Sequence, residues 1–172
     1  IRIPIKERSD NGYEISTIPL GIVLTNGCII TICLKENEVV RDFSEDRVRN
    51  FYTTKRTRFI LQILRRTNLY FSKYLDHIEK QIDEIERSLT KSLKNEEINQ
   101  LLEFRKTLVY FNMAIIANGN VFQRILAGGD VRLYKDDEEL LEDIVIDNRE
   151  LMETSKIFSE ILSNTMDAYA SI

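Results

Sequence analysis

Over the first 40 residues, apolar side chains recur at every second position or in short β-branched runs, a pattern of extended chain rather than helix. Ile1, Ile3 and Ile5 alternate with Arg2 and Pro4. Two further runs, Ile18–Thr25 and Cys28–Leu34, flank Asn26-Gly27, a dipeptide favoured in two-residue type I′ turns, so a hairpin is predicted there. Two or three strands cannot bury both faces of a sheet, and the region reads as the remnant of a larger α/β unit, cut on its N-terminal side.

After Ser44 the period changes to that of a helix. From about Thr54, Leu61, Leu64, Phe71, Leu75, Ile78, Ile82, Ile85 and Leu89 follow steps of three and four, with Asn68 in one slot where an apolar residue belongs. This predicts a helix of about 38 residues, roughly 57 Å long. Residues Lys91 to Asn95 interrupt it, and Asn95 is suited to cap the next helix. Leu101, Phe104, Leu108, Phe111, Ile115, Phe122 and Ile125 then form a second seam, again with one asparagine, Asn118. Two such helices joined by a short break should pack antiparallel, with the asparagines fixing their register. Gly128-Gly129 stops the second helix, and Asp136 or Asp137 can cap a third that meets no Pro or Gly before Ile172. A helix without a stop signal reads as severed within a longer protein. The expected fold class is α+β: a small N-terminal β-sheet within residues 1–52, a long antiparallel helix pair over 53–128, and a long C-terminal helix from 136 to 172.

Composition narrows the chemistry. With 43% hydrophobic and 30% charged residues and only eight Pro and Gly together, disordered and collagen-like classes are excluded. Cys28 and Cys33, five apart, would point to opposite faces of one strand and cannot pair within it. No run reaches the roughly 18–20 apolar residues of a membrane helix, and residues 1–20 lack a signal-peptide pattern. His77 is the single histidine, so the usual metallohydrolase and Ser–His–Asp arrangements lack their raw material and no enzyme is expected. Beside Asp76 and Glu79, His77 reads as a partly exposed side chain bonded to a carboxylate. The basic cluster Lys55, Arg56, Arg58, Arg65 and Arg66 forms no recognisable binding module, which favours pairing with acidic faces of the same or a neighbouring subunit over nucleic acid or lipid phosphate.

Charge is divided unevenly: residues 1–75 carry a net +5 and residues 76–172 a net −9. Residues 136–147 (DDEELLEDIVID) hold seven carboxylates and no base. Asp136, Glu139, Asp143, Asp147 and Glu150 fall at steps of three and four, along one helix stripe. Such carboxylates repel one another unless cations sit nearby, and Mg2+ suits them because it keeps its waters and needs only one or two carboxylates. A solvated helix face is the competing reading.

In order and spacing, the chain resembles the cytoplasmic part of the CorA family of divalent-cation transporters. The resemblance is carried by Thr17–Leu24 with Ile29–Ile32, by Tyr70-Phe71 followed by Leu75, Ile78 and Ile82–Glu86, by Leu102–Val109, by Leu141–Val145, and by Met166–Ile172. It implies an α/β domain, two long antiparallel helices, and a stalk helix that assembles about a fivefold axis in a membrane-embedded homopentamer and continues into the first membrane span. It also implies a gating site in which Asp143, with Glu139 and Asp147 beside it on the stripe, holds a hydrated divalent ion against an acidic residue of the neighbouring subunit. Asp167 matches an axis-facing stalk position. Ile144-Val145-Ile146-Asp147-Asn148 stands where many relatives have an aspartate-histidine pair, and the family's Gly-Met-Asn signature would follow Ile172. The implied function is transport of Mg2+, with Co2+ or Ni2+ as further cargo, across the inner cell membrane by a multi-pass protein whose present segment lies on the cytoplasmic side. A zinc transporter of the same superfamily and a non-transporting helical scaffold are the alternatives, and no nucleic-acid partner is expected.

Overall fold

The computed structural model describes residues 1–9, 12–88, 95–129 and 131–170. Three strands, β1 (Arg2–Ser9), β2 (Gly12–Leu24) and β3 (Ile29–Cys33), form an antiparallel sheet in the order β1-β2-β3. Four helices follow: α1 (Glu38–Ser44), α2 (Arg56–Ser88), α3 (Asn95–Leu126) and α4 (Lys135–Ala170). The expected Leu89 and the break over 91–94 lie outside the described residues.

The β2–β3 hairpin forms around Asn26-Gly27 in the predicted register, with Leu24 opposite Ile29. Its turn is not type I′, because neither Asn26 nor Gly27 has positive φ. The Thr25 hydroxyl takes over the closure, accepting from the Gly27 and Cys28 amides and donating to the Cys28 carbonyl at 3.0 Å. Cys28 therefore sits in the turn, not in a strand, while Cys33 ends β3; both thiols are free.

Pro19 interrupts β2 without losing a ladder bond. It faces Arg2 of β1, whose backbone N–H and C=O turn away from β2. The side without its own N–H lies past the last β3 pair, Leu20 with Cys33.

The short helix α1 was not legible as a separate element. Asn37 caps it, its Oδ1 accepting from the Val40 amide at 2.9 Å, and Glu38 complements the first turn. Two tyrosines one turn apart on α2 hold it in place: Tyr70 donates to Asp42 at 2.8 Å and Tyr74 donates to Glu38. Burial first, then these carboxylates, raise both phenols well above the ordinary tyrosine value of 10.0. Because the folded value exceeds the unfolded one, this stabilisation is complete below about pH 10 and is lost as pH rises beyond it. Urea melts between neutral pH and pH 11 should show a steeper alkaline loss in the parent than in Tyr70→Phe/Tyr74→Phe. Equal slopes would rule out this linkage.

The α2 and α3 seams face inward as their period predicts, and the pair is antiparallel: Gln81 meets Gln100 and Phe71 meets Phe111. The two helices nevertheless touch directly over only a short length. Helix α4 packs along both, parallel to α2 and antiparallel to α3, while β1 and β2 rest on α2 and α3. One core cluster joins Ile3, Ile15 and Leu20 of the sheet to Phe71, Phe111 and, from α4, Phe158 and Leu162. A second gathers Leu61, Leu64, Phe122, Leu141 and Ile144 at the other end of the bundle.

The asparagines in the seams do set register, but not between α2 and α3. Asn68 of α2 donates to the Ile144 carbonyl of α4 at 2.9 Å. Asn118 of α3 pairs with a strand: its Oδ1 accepts from the Arg2 amide at 2.8 Å and its Nδ2 donates to the Arg2 carbonyl at 2.7 Å, imitating a β-ladder partner on the outer edge of β1. A third, Asn148 of α4, donates to the Ile115 carbonyl of α3. Gly119 makes room for it, since a Cβ there would stand 2.4 Å from the Asn148 Oδ1.

Candidate functional site

The acidic stripe is built by the start of α4. Gly128 and Gly129, both at positive φ, end the run of α3, and the chain re-enters helix at Lys135. The helix begins earlier than its expected cap: Asp136 and Asp137 lie within the first turn, where carboxylates favour the N-terminal end of the helix dipole. Asp137 turns inward, is buried, and meets Arg58 of α2 at 3.3 Å, while Arg58 also donates to the Asp136 carbonyl.

Four members of the stripe, Asp136, Glu139, Asp143 and Asp147, are exposed, as is Glu150 one turn on. Their spacing is set by the buried positions Leu140, Leu141, Ile144, Val145 and Asn148, which press the opposite face into the bundle. Glu139, Asp143 and Asp147 make no ion pair with the described residues. They stand as a row of carboxylates facing outward. Among the described residues, no three His, Cys, Asp or Glu side chains converge as a metal-holding group. What the arrangement offers is a surface able to hold a hydrated cation from one side. Asp167 is exposed near the end of α4.

The basic cluster is divided. Arg56 donates to the Thr25 and Asn26 carbonyls and braces the hairpin turn. Arg58 pairs with Asp137, and Arg66 reaches Asp42 at 3.4 Å. These three serve the fold of this chain. Arg65 lines a groove between α2, α4 and the segment joining α1 to α2. His77 is largely exposed, and partial desolvation of its ring, then nearby Lys6 and Lys80, lower its pKa despite Glu84.

One feature had no sequence signal: buried Asp42 is shared by Tyr70, Arg66 and Arg47, with Arg47 3.5 Å from Oδ1. Nothing in the local pattern marks Asp42, the fifth residue of a seven-residue helix, as a buried charge.

Among the described residues no helix is long and apolar enough to cross a membrane. The family model for "CorA-like Mg2+ transporter protein" matches residues 1–172. The cobalt/magnesium transport protein CorA of Methanocaldococcus jannaschii is 27% identical over 168 residues, 92% of this chain and 51% of that protein. The complete structure of the CorA magnesium transporter from the same organism superposes with a TM-score of 0.84 at 25% identity, covering 99% of this chain and 54% of its own. The structure of that transporter's soluble domain gives 0.79 at 26% identity, covering 96% and 72%. The chain thus spans about half the length of the whole transporters it matches. With one family's pattern running from the first residue to the last, and its backbone reproduced from β1 through α4, this chain belongs to the CorA family.

Proposed function

We propose that this chain is the cytoplasmic regulatory part of a CorA-type transporter that passes Mg2+, and by the same chemistry Co2+ or Ni2+, down its electrochemical gradient. The observation that carries this reading is the outward row Glu139, Asp143 and Asp147, unpaired within the described residues of a chain of CorA fold. A face of carboxylates held by a packed helix is costly to bring against another acidic surface. A hydrated divalent ion offsets that repulsion, because Mg2+ can be shared between one or two carboxylates without a protein cage.

In this mechanism five copies surround an axis, and ions bound at Asp143 between neighbours hold the ring closed. Loss of the ions leaves facing carboxylates to repel one another, and the open state gains population. The transported ion then also restrains its own passage. Asp167, near the end of α4, faces the axis, where a ring of carboxylates concentrates cations before the membrane segment.

The test is Mg2+ inhibition of flux through the transporter carrying this domain. Asp143→Asn should shift the inhibitory Mg2+ concentration upward by about tenfold, equivalent to about 1.4 kcal/mol of coupling. An unchanged inhibition curve would remove Asp143 from the mechanism.

A further inference from the structure

A groove of about 610 Å³ runs between α2, α4 and the segment joining α1 to α2, within the usual range of small-molecule sites. The segment before α2 contributes Arg47 and Arg49, α2 contributes Arg65, Arg66 and, farther along, Asp76, and α4 contributes Asp147 and Glu150. Opposite charges sharing a groove ordinarily close on each other. Here Arg49 and Arg65 form no ion pair with the described residues, and neither do the three carboxylates.

The segment carrying Arg47 and Arg49 is tied to α2. Arg66 donates to the Arg47 carbonyl at 2.7 Å, and the Gln62 amide donates to the Arg49 and Asn50 carbonyls. Asp46 and Asn50, flanking that segment, adopt φ of 54° and 55°, a conformation that aspartate and asparagine tolerate best among non-glycine residues. The groove also contains buried acceptors with nothing to accept. Asn68 is 3% exposed, yet its Oδ1 has no partner, and the Gln62 Oε1 has none either. Buried acceptors of this kind call for a donor, such as metal-bound water.

We infer that this groove binds a Mg2+-chelated polyphosphate, the phosphates on Arg49 and Arg65 and the hydrated ion toward Asp76, Glu150 and Asn68. Arginine presents planar donors that match phosphate oxygens, and Mg2+ is commonly held by one or two carboxylates together with the phosphates of its ligand. That division explains why a groove with three carboxylates needs no cage of protein ligands. The inference rests on the groove alone and stands or falls apart from the transport reading.

The test is calorimetric titration of the 172-residue chain with inorganic tripolyphosphate, in Mg2+ and in EDTA. Saturable binding is expected with Mg2+, at least tenfold weaker in EDTA. Arg49→Ala/Arg65→Ala should weaken it at least tenfold while leaving the thermal melt unchanged, since neither side chain supports the fold. Asp76→Asn/Glu150→Gln should equalise the affinities in Mg2+ and EDTA. Vesicles rich in phosphatidic acid should not compete. Absence of saturable binding below millimolar concentration, a smaller loss in the arginine variant, equal parent affinity in EDTA, a persistent Mg2+ preference in the carboxylate variant, or competition by vesicles would each overturn the proposal.

Discussion

Replacing Phe111 with alanine should lower the unfolding free energy by about 3–5 kcal/mol, and the melting temperature by about 6–20 °C for a chain of this size. Phe111 has no exposed surface, and its ring meets Phe71 edge-on at 4.9 Å. It belongs to the cluster in which side chains of the sheet, α2, α3 and α4 meet. A cavity at such a junction does not close by moving one helix, because α4 and the sheet brace both α2 and α3. Met113→Ala, two residues away and 64% exposed, should change stability by less than about 0.5 kcal/mol. Urea unfolding of both variants checks this, and a loss below about 1 kcal/mol for Phe111→Ala would mean that the bundle collapses freely.

Asp42→Ala should cost about 3 kcal/mol, because breaking a buried ion pair strands the charge left behind. Asp42 is 2% exposed and is the common partner of Tyr70, Arg66 and Arg47. Arg47 reaches solvent and loses little, so most of the penalty falls on Arg66 and the Tyr70 hydroxyl. The damage should be local. Amide exchange across α1 should accelerate far more than across α3, and a uniform acceleration would show that the pair supports the whole fold rather than the docking of one helix.

The long elements were legible because burial imposes a period. Leu61 through Ile85 and Leu101 through Ile125 could hardly be anything but helix faces, and Asn68 and Asn118 stood out as breaks in them. Their partners were not legible. Asn118 pairs with the backbone of Arg2, 116 residues away, and no side-chain pattern announces a backbone partner. The identity of the turn at Asn26-Gly27 was likewise decided by a neighbour, the Thr25 hydroxyl, which satisfies the amides without positive φ. Helix α1 was too short to show a period, and its position depends on Tyr70 and Tyr74. Of the acidic residues, the sequence showed their common stripe. Only the fold separates Asp137, spent on Arg58, from Glu139, Asp143 and Asp147, which stay outside.

The asparagine bonds also limit how α4 can move. Asn68 is fastened to the Ile144 carbonyl and Asn148 to the Ile115 carbonyl, so both neighbours grip α4 at one level. A piston stroke of a single residue's rise, about 1.5 Å, would break both grips, whereas a pivot about that level would keep them. Lower down, Thr165 bonds to Glu86, whose long side chain can follow a swing. Over the roughly 33 Å from Asn148 to Ala170, Leu151, Phe158 and Leu162 stay buried, so any swing of the far end must carry the packed neighbours with it.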